Sequence, residues 1–212
     1  MLTRELDHSL FESYSDDIPV ILKRVYAARA VSESQLSMAL PGLLKPSFDQ
    51  LNIALELLEK CILDNQRILI VGDFDADGAT ASAVAIKALR LMGAKHVDFL
   101  VPNRFKHGYG LSPEIVQEAK TDKDPNLIIT VDNGISSNEG AALARSLDID
   151  VIITDHHLPP KVLPDANSII NPNLRGCDFP SKNLAGVGVC FYLFSALKTH
   201  LVGKGYFEAH NI

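Results

Sequence analysis

The sequence predicts an α/β protein, a mainly parallel sheet flanked by helices and preceded by an all-helical lead. Three observations carry that expectation. Short β-branched runs end in turn residues, as buried strands do: Arg67–Gly72, His96–Val101, Leu127–Val131, Val151–Thr154 and Ser168–Ile170. Helical stretches stand between them, the Ala-rich Ala79–Met92 stopped by Gly93, then Pro113–Lys120 and Ser136–Leu147. Such alternation implies βαβ crossovers. Residues 1–66, by contrast, carry helical spacing and almost no strand signal.

In the lead, Ile18, Ile21, Leu22 and Val25 share a helix face, with Asp16 or Asp17 as the expected N-cap. A second helix is expected from Phe48 to about Asn65, after the breaks at Pro41-Gly42 and Pro46. Ala185–Leu201 reads as a last helix. The division is therefore a lead over 1–66 and a sheet domain over 67–212.

A chain of 212 residues with 47% hydrophobic and 22% charged residues is long and apolar enough for a packed core, which excludes disorder. Cys61, Cys177 and Cys190 stand far apart, so a disulfide scaffold and a cysteine zinc site are excluded and a reducing, cytoplasmic setting is expected. No apolar run approaches the roughly 18 residues of a membrane span, and the N-terminus lacks a signal core. With 26 acids against 20 Lys and Arg, the net charge of −6 read plainly argues against a nucleic-acid binder.

The acids, however, are placed. The first strand runs into Asp73-Phe74-Asp75-Ala76-Asp77-Gly78, the third ends at Asp132-Asn133-Gly134, and the fourth at Asp155-His156-His157. The carboxyl ends of parallel strands are where open α/β sheets place their sites. Carboxylates gathered without cations repel one another, and divalent metals remove the conflict. Oxygen ligands suit Mg²⁺ or Mn²⁺, and an imidazole among them favours Mn²⁺. Two metals about 3.5–4 Å apart, bridged by a carboxylate, would serve phosphoester hydrolysis. A calcium-binding EF-hand loop begins with a similar acidic run, but its twelfth position needs Glu and here holds Val84.

These segments, IVGDFDADGATASA, VPNRFKHGYGLSPEIV, IITVDNGISS, VIITDHHLP and SIINPN, resemble the DHH phosphoesterase superfamily, and within it the bacterial single-strand-specific 5′→3′ DNA exonucleases of repair and recombination. The lead, with VYAARAV, and the later LAGVGVCFYL extend the likeness over nearly the whole chain. The resemblance implies that Asp75 and Asp77 each ligate a metal, that Asp132 bridges the two, and that His156 shares the metal of Asp77. It implies that His157 meets the scissile phosphate or completes a shell, while Asp73 and Asp155 orient ligands from behind. Some members carry a histidine where Val71 stands. A further ligand aspartate of the family would lie beyond Ile212, as would a glycine- and histidine-rich second domain and an OB-fold. The expectation is an N-terminal catalytic fragment, weakly active and partly metal-loaded on its own.

Around this cluster, Arg104, assisted by Lys106 or His107, is expected to clamp phosphate, with Asn133 in the same set. Tyr109 is expected to stack on a base. Arg104 and His157 would steady the non-bridging oxygens. Gly186-Val187-Gly188 is read as close packing of the last helix on the sheet rather than a phosphate loop. The implied substrate is single-stranded DNA, for a monomer that touches no membrane and acts beside a single-strand-binding protein and a helicase. Two rivals are a DHH phosphoesterase acting on oligoribonucleotides, cyclic dinucleotides or pyrophosphate, and a non-catalytic scaffold of the same fold.

Overall fold

Side-chain alternation along the strands builds the layers. Ile68, Ile70, Leu127, Ile129, Val131, Ile152 and Ile170 enter one apolar cluster, while Leu69, Val71, Ile128, Val151, Ile153 and Ile169 enter another on the opposite face. The structure, a computed structural model, describes residues 4–36, 42–103, 107–210 and 212. Five strands, β1 (Arg67–Gly72), β2 (His96–Leu100), β3 (Leu127–Val131), β4 (Asp150–Thr154) and β5 (Ser168–Ile170), pair in parallel throughout, in the order β2-β1-β3-β4-β5. The mainly parallel expectation is thus met by a wholly parallel sheet. The strand order reverses between β1 and β3, the switch point at which such sheets open a crevice.

Three helices cover the first face: α3 (Leu51–Leu63), α4 (Ala76–Leu91) and α7 (Gly186–Gly203). The second face carries α5 (Pro113–Asp122) and α6 (Asn138–Ser146). A short α8 (Tyr206–His210) follows α7. Residues 155–167, between β4 and β5, form no helix, which leaves the Asp-His-His turn open at the sheet end.

Two compact units are present, Met1–Lys45 and Pro46–Ile212. The break falls at 45/46 rather than at 66, because α3 buries Leu51, Ala54, Leu55, Leu58, Cys61 and Ile62 in the same core as β1 and α7. The first unit holds α1 (His8–Ser13), capped by the Asp7 carboxylate, and α2 (Val20–Ala27). Neither Asp16 nor Asp17 caps α2. Pro19 occupies that position, its φ of −55° already preset and its missing N–H costing nothing at a helix start.

Two further differences concern helices. α4 begins at Ala76, a turn earlier than its alanine pattern, because the Asp75 side chain accepts from Gly78 N–H and caps it. α7, at 18 residues, is long and apolar enough to cross a membrane by length and composition. Here it is a core helix, with Val189, Cys190, Leu193, Leu197 and Leu201 fully buried in the α3–α4 layer.

Core packing predicts a sharp contrast within that layer. Leu193→Ala should cost about 2–5 kcal/mol in urea unfolding. Leu91→Ala, at a position 76% exposed, should stay within about 0.5 kcal/mol of wild type.

Candidate metal centre

At the switch point, β1 and β3 deliver their acids to one spot. Asp132 follows β3 in a left-handed conformation (φ 64°), a strained position for a non-glycine residue. The surrounding bonds hold it there. Its N–H donates to Thr154 O (3.0 Å), Thr130 Oγ1 donates to Asn133 O (2.8 Å), and Thr154 Oγ1 donates to Thr130 O (2.8 Å). Asp132 is 1% exposed, and its Oδ1 accepts no well-aligned hydrogen bond among the described residues, although His156 Nε2 stands 3.2 Å away. A buried acceptor left unpaired is costly and marks a site made for something else.

Two sets of ligand atoms meet on this carboxylate. Asp73, Asp75 and Asp132 place one oxygen each within 4.8 Å of one another, and Asp132, His156 and His157 do the same with an oxygen and two ring nitrogens. His156 Nε2 lies 3.2 Å from Asp132 Oδ1 and 3.8 Å from Asp77 Oδ2. Asp73, read from sequence as an orienting group, therefore sits within ligand reach. The donor chemistry, hard oxygens with imidazole, fits Mn²⁺ or Mg²⁺.

Asp77 is held differently. Gly186 N–H donates to its Oδ2 and Val187 N–H to its Oδ1, both at 2.7 Å, so the amino end of α7 grips the carboxylate while lone pairs remain for a cation. Asp75 and Asp77 also stand at the amino end of α4, which favours their negative charge. Gly186 is obligatory here, since a Cβ would lie 2.2 Å from Asp132 Oδ1. A Cβ on Gly78 would lie 2.5 Å from Asp73 O, so only glycine lets α4 start against the turn.

Asp155 orients the histidines. Buried at 1% exposure, it accepts from the N–H groups of Ile135, His156 and His157, and it bonds His157 Nδ1 at 2.7 Å. That bond orients the His157 ring. Burial works against the His157 cation, but the Asp155 bond and charge outweigh it and raise its pKa. Asn171 and Asn173, just after β5, clasp His157 O (2.9 Å) and His156 O (2.5 Å). The Asn-Pro-Asn spelling was the one sequence signal for this clasp; the Asp77–α7 grip left none.

Elsewhere the sequence expectations divide. Asn133 does not face a phosphate: it is fully buried, and its amide NH₂ ties Val71 O to Val131 O (3.0 Å each) across the switch point. His107 accepts from Asn103 N–H and lies 3.3 Å from Glu118. Arg104 and Lys106 lie outside the described residues. Tyr109 sits at the site, edge-on to the His157 ring (6.2 Å, 84°).

The fold and site define an α/β protein with a carboxylate- and histidine-lined divalent-cation centre at its switch point. The chain belongs to the DHH family: the model for the DHH family, N-terminal domain, matches residues 67–209. It is 52% identical over 198 residues to the single-stranded-DNA-specific exonuclease RecJ of Salmonella typhimurium, covering 92% of this chain and 34% of that one. Among solved structures, exonuclease RecJ bound to manganese aligns with a TM-score of 0.68 and 34% identity over 75% of this chain and 40% of that chain. RecJ of Thermus thermophilus in complex with Mn²⁺ aligns at 0.69 and 28% over 91% of this chain and 26% of that one. The chain spans about a third of the length of curated relatives such as these.

Burial, and then the charges of Asp77 and Asp75, push the Asp132 pKa up to about 7. The metal-free fold thus holds a proton that the unfolded chain releases, and its stability falls as pH rises from the ordinary carboxylate value to about 7. Asp132→Asn should flatten that slope and stabilise the chelator-treated protein at pH 8 by on the order of 2–4 kcal/mol in denaturant unfolding. Equal stabilities at pH 8 would contradict it.

Proposed function

We propose that this chain is the metal-dependent catalytic core of a single-strand-specific DNA exonuclease, hydrolysing phosphodiester bonds from the 5′ end with Mn²⁺ or Mg²⁺. The observation that carries the hydrolytic reading is the buried Asp132 carboxylate, which belongs to two ligand sets and whose Oδ1 accepts no well-aligned hydrogen bond among the described residues. The choice of DNA is supported by the 52% identity to single-stranded-DNA-specific exonucleases. Three unpaired cysteines support a cytoplasmic setting. A single-strand-binding protein and a helicase, which present free strands, are the partners this reading expects.

Asp73, Asp75, Asp132, His156 and Asp77 would hold the cations, with His157 facing them. When bound, such cations supply Lewis acidity, activating a water and offsetting charge on the attacking and leaving oxygens. The chain's own groups do the positioning. Asp77, pinned by the amino end of α7, lies 3.8 Å from His156 Nε2, which faces Asp132 at 3.2 Å. His157, steadied by Asp155 at Nδ1, would offer its other ring nitrogen to a non-bridging phosphate oxygen.

The test is Mn²⁺-dependent hydrolysis of 5′-phosphorylated single-stranded DNA by the protein carrying this chain, compared with dinucleotides and pyrophosphate. DNA should be the preferred substrate, and Asp75→Ala or Asp132→Ala should each lower the rate at least roughly 100-fold. Preference for pyrophosphate, or undiminished hydrolysis in both variants, would refute the assignment.

A further inference from the structure

Two large aromatic rings remain after the metal centre is accounted for. Phe74 stands between Asp73 and Asp75 in the β1–α4 turn and is 46% exposed, and Tyr109 is 49% exposed. A lone exposed aromatic needs no explanation. These two line one cleft of about 790 Å³, which also takes in Asp73, Asp75, Asp155 and His157 on the metal side and Ser136 and Asn138 on the other.

We propose that Phe74 and Tyr109 form a nucleobase-stacking subsite in this cleft, which seats the 5′-terminal base of a strand whose phosphodiester lies over the acidic cluster. The cleft falls in the range that small-ligand sites occupy, and Asp73, Asp75 and Asp155 of the acidic cluster are part of its wall. Tyr109 is oriented rather than loose, since its ring abuts His157 edge-on. Stacking is indifferent to base identity because every base has a π face, which suits a nuclease that must accept any sequence. Pyrophosphate has no such face. The subsite therefore deepens the proposed function by naming the part of the substrate held, and it rests on that reading.

The experiment uses oligodeoxynucleotides with phosphorothioate linkages, which resist hydrolysis, carrying 2-aminopurine or an abasic residue at the 5′ end. With the wild-type chain, 2-aminopurine fluorescence should be quenched on binding, and the abasic strand should bind roughly tenfold more weakly. In Phe74→Ala and in Tyr109→Ala that ratio should fall towards one, while Phe74→Tyr should retain it. Unquenched 2-aminopurine with equal affinity for both strands, or a ratio that survives both alanine variants, overturns the proposal. Because the quenching is read on the wild-type chain, the test stands even if a variant misfolds. A base preference without hydrolysis of ordinary DNA would sink the hydrolytic reading and leave the subsite standing. Hydrolysis without base preference would do the reverse.

Discussion

Asp132 sets the terms for the rest of the molecule. It must be buried at the end of β3, in a left-handed conformation, facing the charges of Asp75 and Asp77. Left to itself that arrangement is unfavourable: burial and like charge both oppose ionisation, and Oδ1 accepts no well-aligned hydrogen bond among the described residues. The surrounding hydrogen bonds hold Asp132 in place without relieving it. Thr130, Thr154 and the β3–β4 ladder fix its backbone, and Gly186 withdraws the Cβ that would strike its carboxylate. A divalent cation would supply the partner that this oxygen lacks.

The neighbours are stabilised by means that leave them free to ligate. Helix amino ends favour Asp75 and Asp77 as anions, α4 acting on both and α7 on Asp77 through two N–H groups. Asp155 spends its oxygens on backbone N–H groups and on His157, so it positions rather than binds. The strain of the cluster gathers on the central acid, buried and left-handed at the end of β3.

Much of this was legible in the sequence because strand ends are legible. RILIVG running into DFDADG, and IITVDNG and VIITDHH after it, place acids and histidines at the carboxyl ends of consecutive parallel strands. Residues whose role depends on a distant partner were not legible. The reach from Asp77 to Gly186 and Val187 crosses 109 and 110 residues. Asn133 looked like a phosphate ligand in a turn, whereas its amide reaches back 62 residues to Val71 O. α3 looked like part of a helical lead because its own periodicity says nothing of which core it joins.

The net charge of −6 also takes on a different meaning. Several of those acids form one cation-binding cluster, and bound cations would reverse the local field where phosphate must sit. The most direct test is calorimetric titration of Mn²⁺ into the chain at pH 8 and pH 6, in buffers of different ionisation enthalpy. If Asp132 is the strained centre, affinity falls at least about tenfold at pH 6 and binding there releases about one proton or more. Equal affinity at both pH values with no proton released would contradict the account.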